Sequence, residues 1–113
     1  MKLPGAERAY VDAAKVRDYL LSSEHPVGRF KAAVFATLGY HRAEWQRLRH
    51  ELELLARSAD AVPGQSSPFG QKYEVHAMLQ GPSGRAAALV TVWIVRSNED
   101  YPRLVTAFPG ASR

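Results

Sequence analysis

The spacing of apolar positions changes about two thirds of the way along the chain. Before that point apolar side chains recur every three or four residues, and after it they alternate with polar ones or run together in β-branched stretches. The second pattern is typical of strands and the first of amphipathic helices. Three strands are predicted, over Tyr73–Leu79, Ala87–Arg96 and Arg103–Phe108. The turn-rich stretches Gln80–Arg85 and Ser97–Pro102 separate them and indicate an antiparallel meander.

Alternation along each strand divides its side chains between two faces. If each turn is centred on its loop, the aligned strands form one apolar face, which must be covered. This face contains Val75, Val90, Val92 and Val105. The opposite face is predicted to be mixed and at least partly open, and it is the place to look for function. Two cross-strand rows are expected there: Glu74, Thr91 and Phe108 in one, and Lys72, Trp93 and Thr106 in the next.

Three helices are predicted in the N-terminal half, over Ala13–Leu21, Arg29–Leu38 and Arg42–Ser58. Asp12 is predicted to be the N-cap of the first helix, and Gly39 suits the position that follows the second helix. The stretch 60–70 is rich in Pro, Gly and Ser, so it is interpreted as a linker into the sheet. The apolar helix positions expected to face inward are Val16, Tyr19, Leu20, Phe30, Val34, Phe35, Leu38, Trp45, Leu48, Leu52 and Leu55.

The order of elements, helices first and strands afterwards, predicts an α+β fold with N-terminal helices packed on a C-terminal antiparallel sheet. A chain of 113 residues without repeats is expected to form one domain, spanning residues 1–113. The helices are expected to cover the apolar face of the sheet and to leave the mixed face open.

Composition excludes several classes of function. The chain has no cysteine, so disulfides and thiolate metal sites are absent, and the four histidines lack the spacing of a metal motif. No metal or other cofactor is therefore expected. No stretch approaches the ~18 apolar residues that a membrane span needs. The net charge of +4 is compatible with binding to nucleic acid or another polyanion.

His25 is the histidine with the clearest chemical potential. It precedes Pro26 in a predicted loop and lies six residues before Lys31, so it is freer to meet a substrate than a histidine in a helix stripe. The alternative is that His25 only caps or pins the turn. The residues of the mixed face also have structural alternatives: Thr91 and Thr106 as ordinary strand residues, Trp93 and Phe108 as core residues, and Lys72 as a solvated edge charge.

Five segments of the chain resemble a family of small uncharacterised bacterial domains. They are His25–Lys31, Phe35–Tyr40, Phe69–Tyr73, Gly84–Trp93 and Pro102–Pro109. The resemblance keeps the order of the segments and extends from Lys15 to Pro109. It implies a family but no activity.

The ending Val105–Pro109 also resembles the last strand of RNase A-like toxin domains from contact-dependent inhibition proteins. These belong to the barnase–EndoU–colicin–RelE group of small metal-independent ribonucleases, in which helices pack on an antiparallel sheet whose open face carries the site. Their motif reads Thr-Ala-Tyr-Pro and acts with an upstream histidine and a basic residue. The resemblance implies catalytic roles for Thr106, His25 and Lys31. Phe108 departs from the motif because it lacks the hydroxyl.

The function expected from these observations is that of a metal-independent ribonuclease that acts as the toxin of a bacterial toxin–antitoxin or immunity pair. It would cleave RNA through a 2′,3′-cyclic phosphate with His25 as general base. Lys31 and Thr106 complete the expected catalytic set, and the expected substrate-binding residues are Lys72, Thr91, Trp93 and Phe108. Expected partners are RNA and a cognate antitoxin or immunity protein. The expected location is the cytoplasm, or a target cell if the domain belongs to a secreted toxin. The alternatives are an RNA-binding module without activity and a protein-interaction module of the same fold.

Overall fold

Helices and then strands form one α+β domain in the computed structural model, which describes residues 1–110. The helical half packs against one face of a four-stranded antiparallel sheet, so the predicted fold class is confirmed. Within residues 1–110, no helix has the length and apolar character required to cross a membrane.

Three helices lie close to the predicted positions. The first, α1, begins after Asp12, whose Oδ1 accepts a hydrogen bond from the Ala14 N–H (2.9 Å). It consists of Ala13–Lys15 followed by a π-helical turn at Val16–Leu20. The second helix, α2, spans Gly28–Thr37, and the third, α3, spans Trp45–Ser58 after a 3₁₀ turn at Arg42–Glu44. Gly39 adopts a φ of +95° after α2, as predicted for a residue that ends a helix.

The core confirms most of the predicted apolar stripes. Leu48 and Leu52 of α3 are fully buried, together with Val16, Leu20, Phe35 and Leu38 of the earlier helices. The prediction that Phe30 faces inward is wrong, because 66% of its surface is exposed. It lies in the first turn of α2, whose buried large side chain, Phe35, lies further along the helix.

The sheet has a fourth strand in addition to the three located from the sequence. The four strands are β1 (Ala61–Ser67), β2 (Gly70–Gln80), β3 (Ala86–Arg96) and β4 (Pro102–Pro109), in the order β1-β2-β3-β4. The linker interpretation of 60–70 is therefore wrong, because most of this stretch forms an edge strand paired with β2. Its register is interrupted between Pro63 and Ser66, and an edge strand tolerates such a bulge and a proline. Only Ala61 of β1 is buried, so the strand carries no hydrophobic alternation that would identify it.

The observed pairing of β3 with its neighbours differs from the predicted cross-strand rows by one residue. Thr91 pairs with Val75 and Ala107, whereas Glu74 pairs with Val92. A slip of one residue moves every side chain of a strand to the opposite face. Thr91 therefore lies on the face that the helices cover, and the predicted apolar face containing Val90 and Val92 is wrong.

Trp93 also belongs to the covered face. It pairs with Tyr73 on one side and, across a bulge in β4, with Leu104 on the other. The relative exposures of Trp93 and Thr91 are 0% and 1%. The Trp93 Nε1 donates a hydrogen bond to Thr91 Oγ1 (2.8 Å), and Thr91 Oγ1 donates to the Val75 carbonyl (3.4 Å). Of the alternatives considered for these residues, the fold therefore adopts the structural ones: Thr91 is a strand residue and Trp93 is a core residue.

The opposite face of the sheet, here called the outer face, holds three cross-strand rows that matter for function. One joins Thr106, Val92 and Glu74, and the next joins Phe108, Val90 and His76. The third begins outside the named strands, where Tyr10 forms a parallel bridge with Arg103, and continues through Ile94 to Lys72. The N-terminal segment thus lies along the outer edge of β4.

Candidate functional site

A cleft of about 640 Å³ lies between the first two helices and the outer edge of β4. This cleft is lined by all three residues predicted from the sequence to be catalytic, which are His25, Lys31 and Thr106. The other lining residues are Asp12, Ala14, Lys15, Tyr19 and Val105. A loop, a helix and a strand that are far apart in sequence therefore contribute to one concave site.

Thr106 is the point at which the side chains of the cleft meet. The Lys31 Nζ donates a hydrogen bond to Thr106 Oγ1 (2.7 Å), and the Tyr19 hydroxyl lies 3.1 Å from the same oxygen. The three residues come from α2, β4 and the π-helical turn of α1. One hydroxyl thus connects a cation and a phenol, and the connection fixes the positions of both side chains.

Tyr19 is the functional candidate that the sequence did not reveal. Its apolar spacing predicted an inward position, and Tyr19 is partly buried against the core. Its hydroxyl nevertheless reaches the cleft. The π-helical turn, closed by the hydrogen bond from Leu21 N to the Val16 carbonyl (2.9 Å), takes up an extra residue and changes which side chains face the core. Such turns are frequent at functional sites, but the sequence contains no signal for one.

Gly28 allows α2 to approach Tyr19 closely. A Cβ at this position would overlap the backbone carbonyl oxygen of Tyr19. Glycine is therefore required for the first turn of α2 to pack against α1. Lys31 follows one turn later in α2, so this close approach also places its ammonium near the phenol.

His25 is held in the cleft through its Nδ1 atom. Nδ1 accepts hydrogen bonds from the backbone N–H groups of Val27 (3.1 Å) and Gly28 (3.0 Å), which precede or begin α2. The imidazole also meets the ring of Tyr19 edge to face, with 4.9 Å between centroids. Because Nδ1 accepts, the proton of the neutral ring is assigned to Nε2. His25 therefore pins the turn and lines the cleft at the same time.

The electrostatic environment of the phenol is cationic. Lys31 Nζ lies 5.2 Å from the centroid of the Tyr19 ring, and Lys15 Nζ lies 5.7 Å from it. Partial burial acts to raise the pKa of the Tyr19 phenol, but the neighbouring Lys31 ammonium and Thr106 hydroxyl outweigh burial, with a smaller contribution from the charge of Lys15. The pKa of Tyr19 consequently lies below its ordinary value of 10.0.

The predicted substrate-binding residues fall into three groups. Phe108 adjoins the site, since its ring centroid is 5.6 Å from Lys31 Nζ and it shares the outer face with Thr106. Lys72 lies on the same face but two strands away from β4. Thr91 and Trp93 lie beneath the sheet in the core, where no substrate reaches them.

The residues of the cleft do not form a recognisable metal centre. Within residues 1–110, no group of three or more His, Cys, Asp or Glu side chains is arranged to hold a metal ion. The chemical groups that the cleft offers are an imidazole, two ammonium groups, a phenol, a hydroxyl and one carboxylate. Such a set suits the binding of an anion and the movement of a proton.

A solved structure with the same fold comes from a bacterial toxin system. It is one chain of the contact-dependent growth inhibition toxin–immunity protein complex from Klebsiella pneumoniae 342. The match has a TM-score of 0.71 and 17% sequence identity, and it covers 96% of this chain and 98% of that chain. At this identity the similarity establishes the shared fold.

Sequence relatives give a second comparison. Over 94 residues, or 82% of this chain, the sequence is 31% identical to a segment of the non-reducing polyketide synthase pks12 of Talaromyces marneffei. The chain spans only 5% of the length of that fungal protein. A profile of the domain of unknown function DUF6883 matches residues 2–111, almost the whole chain. The resemblance to an uncharacterised domain family is thereby confirmed, and this protein belongs to the DUF6883 family.

Proposed function

We propose that this domain is a metal-independent ribonuclease that acts as the toxin of a toxin–antitoxin or immunity pair. The observation that carries the proposal is the convergence of Lys31 and Tyr19 on Thr106 Oγ1, within a cleft that His25 also lines. The reaction is attack of a ribose 2′-oxygen on the adjacent phosphorus. The bond to the 5′-oxygen breaks, a 2′,3′-cyclic phosphate forms, and the proton lost by the 2′-hydroxyl is balanced by one gained at the 5′-oxygen.

Lys31 and Thr106 form the phosphate-binding part of the proposed site. Negative charge accumulates on the non-bridging oxygens as the phosphorane forms, and donors fixed beforehand stabilise it best. The 2.7 Å hydrogen bond between Lys31 Nζ and Thr106 Oγ1 holds the two donors close enough to contact one phosphate. The ammonium keeps further hydrogens to donate after its bond to Thr106.

His25 is assigned the role of a hydrogen-bond donor. The sequence led us to expect a general base, which needs an unprotonated nitrogen facing the substrate. Nδ1 is occupied by the N–H groups of Val27 and Gly28, so Nε2 carries the proton of the neutral ring. In this tautomer His25 donates to a phosphate oxygen or to the departing 5′-oxygen, and another group must accept the 2′-proton.

Tyr19 is the group that we assign to accept the 2′-proton. A phenol acts as a base only when ionised, and the cationic surroundings that lower its pKa increase the ionised fraction. Its hydroxyl is 3.1 Å from Thr106 Oγ1, next to the proposed phosphate position. Tyr19 also provides the phenol that the toxin motif carries at the position occupied here by Phe108. Phe108 then contributes only a ring surface for base stacking.

The toxin role is supported by the shared fold with a chain of a contact-dependent growth inhibition toxin–immunity protein complex. In this role the domain meets RNA in the cytoplasm, either of its own cell or of a target cell into which it is delivered. A cognate antitoxin or immunity protein would then protect the producing cell. Expression of the domain alone should arrest growth, and the arrest should depend on the residues of the cleft.

Cleavage of labelled RNA by the purified protein in EDTA tests the catalytic proposal. Lys31→Met should reduce the cleavage rate by about 10²–10³-fold, the effect of losing one donor to a developing oxyanion. Arg85→Met is the matched control, because it removes one exposed positive charge from the β2–β3 turn, outside the cleft. Tyr19→Phe should abolish the rise of the rate with pH and leave RNA affinity nearly unchanged.

Three other outcomes would contradict the proposed ribonuclease activity. If the wild type binds RNA without cutting it, the domain is a binding module without activity. If it binds no RNA and instead captures a protein partner, it is an interaction module. Equal reductions of the cleavage rate in Lys31→Met and Arg85→Met would show that the cleft has no special role in cleavage.

A further inference from the structure

A second concavity, of about 310 Å³, continues from the cleft along the outer edge of β4. The two share Asp12, Lys15 and Val105 as lining residues, so together they form one groove. Arg103 and Thr106 mark its two ends and are three residues apart on β4, which corresponds to about 10 Å at the rise of a strand. The groove is thus longer than the site of the proposed chemistry requires.

Tyr10 forms an aromatic surface at the far end of this groove. Its backbone is fixed to β4 by hydrogen bonds from Tyr10 N to the Pro102 carbonyl (2.8 Å) and from Leu104 N to the Tyr10 carbonyl (3.0 Å). The Arg103 guanidinium lies 4.9 Å from the centroid of the Tyr10 ring. The residue nevertheless remains 39% exposed. Tyr10 therefore offers a ring that is backed by Arg103 and accessible to a ligand.

Arg103 is itself held in place. It donates to both carboxylate oxygens of Glu99 (2.8 and 2.7 Å) and to the Tyr101 hydroxyl (2.8 Å). The hydrogen bond from Arg103 brings the pKa of Glu99 down to about 2, and partial burial opposes this effect. Because Glu99 balances its charge, Arg103 is suited to support the Tyr10 ring rather than to bind phosphate.

Positive charge lies at two other places in the groove. Lys15 stands where the two concavities join, and Arg96 is an exposed residue in the wall of the second one. Asp12 also lines both concavities, but its carboxylate accepts the Ala14 N–H as the cap of α1. An exposed ring that shares a groove with two cations is the combination that binds single-stranded nucleic acid, with stacking on the base and cationic contacts to the backbone.

We infer that this groove is a second nucleotide subsite. The base of a nucleotide beyond the two that flank the cleaved bond would stack on Tyr10, and the phosphate of that nucleotide would lie against Lys15 and Arg96. The inference rests on the proposed function and specifies its substrate as single-stranded RNA extending beyond the two nucleotides that flank the cleaved bond. Paired RNA does not suit the groove, because a base must leave its helix to stack on the ring.

Binding of oligonucleotides that cannot be cleaved tests the inference without reference to activity. The probes are fluorescent 2′-O-methyl oligonucleotides, a dinucleotide and a tetranucleotide, which lack the attacking hydroxyl; affinity is read by anisotropy. Tyr10→Ala should weaken tetranucleotide binding by roughly tenfold to a hundredfold and leave dinucleotide binding unchanged, because one stacked base is lost. Tyr10→Phe should retain the affinity of the wild type.

Arg96→Gln tests the proposed phosphate contact separately. It should lower the salt dependence of tetranucleotide binding by about one phosphate contact, while Arg85→Gln, outside the groove, should not. Circular dichroism melts of each variant exclude unfolding as the cause.

The outcomes separate this inference from the proposed ribonuclease. Length-dependent binding that Tyr10→Ala removes, in a protein without RNA cleavage, would support the subsite and refute only the catalysis. The subsite would be refuted if Tyr10→Ala lost equal affinity for the dinucleotide and the tetranucleotide. It would also be refuted if the folded Tyr10→Ala variant lost no affinity for the tetranucleotide. If neither probe binds to the wild type, the subsite is likewise refuted.

Discussion

Replacement of Thr91 by valine tests whether the Thr91–Trp93 pair stabilises the core or binds a ligand. Valine has nearly the shape of threonine but offers no hydrogen-bond acceptor to Trp93 Nε1, whose 2.8 Å bond to Thr91 Oγ1 is buried. The indole N–H would remain buried without a partner. A buried donor left in this state costs about 1–3 kcal/mol. The 3.4 Å contact of Thr91 with the Val75 carbonyl adds little, because it is long for a hydroxyl hydrogen bond.

Urea denaturation followed by circular dichroism measures this loss, and a double-mutant cycle isolates its cause. Trp93→Phe removes the donor, so adding Thr91→Val to that variant should cost less than adding it to the wild type. The coupling between the two substitutions should be about 0.5–3 kcal/mol, as for other residues in direct contact. RNA affinity should be the same for Thr91→Val and the wild type when both are folded.

Two results would refute this reasoning. A stability loss below about 0.5 kcal/mol, within the range of ordinary surface substitutions, would show that the pair is not buried as described. Reduced RNA affinity with unchanged stability would restore the ligand-binding role that the predicted strand register implied for Thr91 and Trp93.

Two further predictions concern α3 and the β3–β4 connection. Leu52 is 0% exposed, so Leu52→Ala should lower the free energy of unfolding by about 2–5 kcal/mol. Leu54 is 38% exposed, so the control Leu54→Ala should lower it far less. Similar denaturation midpoints for the two variants would show that the apolar stripe of α3 is not buried. Glu99 has a pKa lowered from 4.5 to about 2 by its hydrogen bond with Arg103, so its stabilising contribution is complete above pH 4.5 and is lost as the pH falls towards 2. Glu99→Gln should therefore show a smaller fall in melting temperature over this interval than the wild type, and parallel curves would contradict the ion pair.

The local pattern of the sequence was sufficient for the fold class and for most element positions. Helical spacing located α1, α2 and α3, and the β-branched runs located three of the four strands. These features depend on burial of one side of an element, which the order of apolar and polar residues records directly. The edge strand β1 was missed because only Ala61 in it is buried, so its formation depends on pairing with β2.

The tertiary structure decided which side chains meet. The register of β3 depends on the geometry of its turns and on the bulge in β4. Alternation does not fix it, because β3 carries apolar residues on both of its faces. That single residue moved Thr91 and Trp93 from the predicted site into the core.

The composition of the cleft was likewise decided by tertiary structure. The motif resemblance indicated Thr106 and suggested His25 and Lys31, but no local pattern joins residues 75 positions apart, as Lys31 and Thr106 are. Tyr19 was missed because its spacing is that of a core residue, while a π-helical turn directs its hydroxyl to Thr106. Local patterns record how much of a side chain is buried. Its partners depend on how distant segments pack, and a change of one residue in a register or a helical turn alters them.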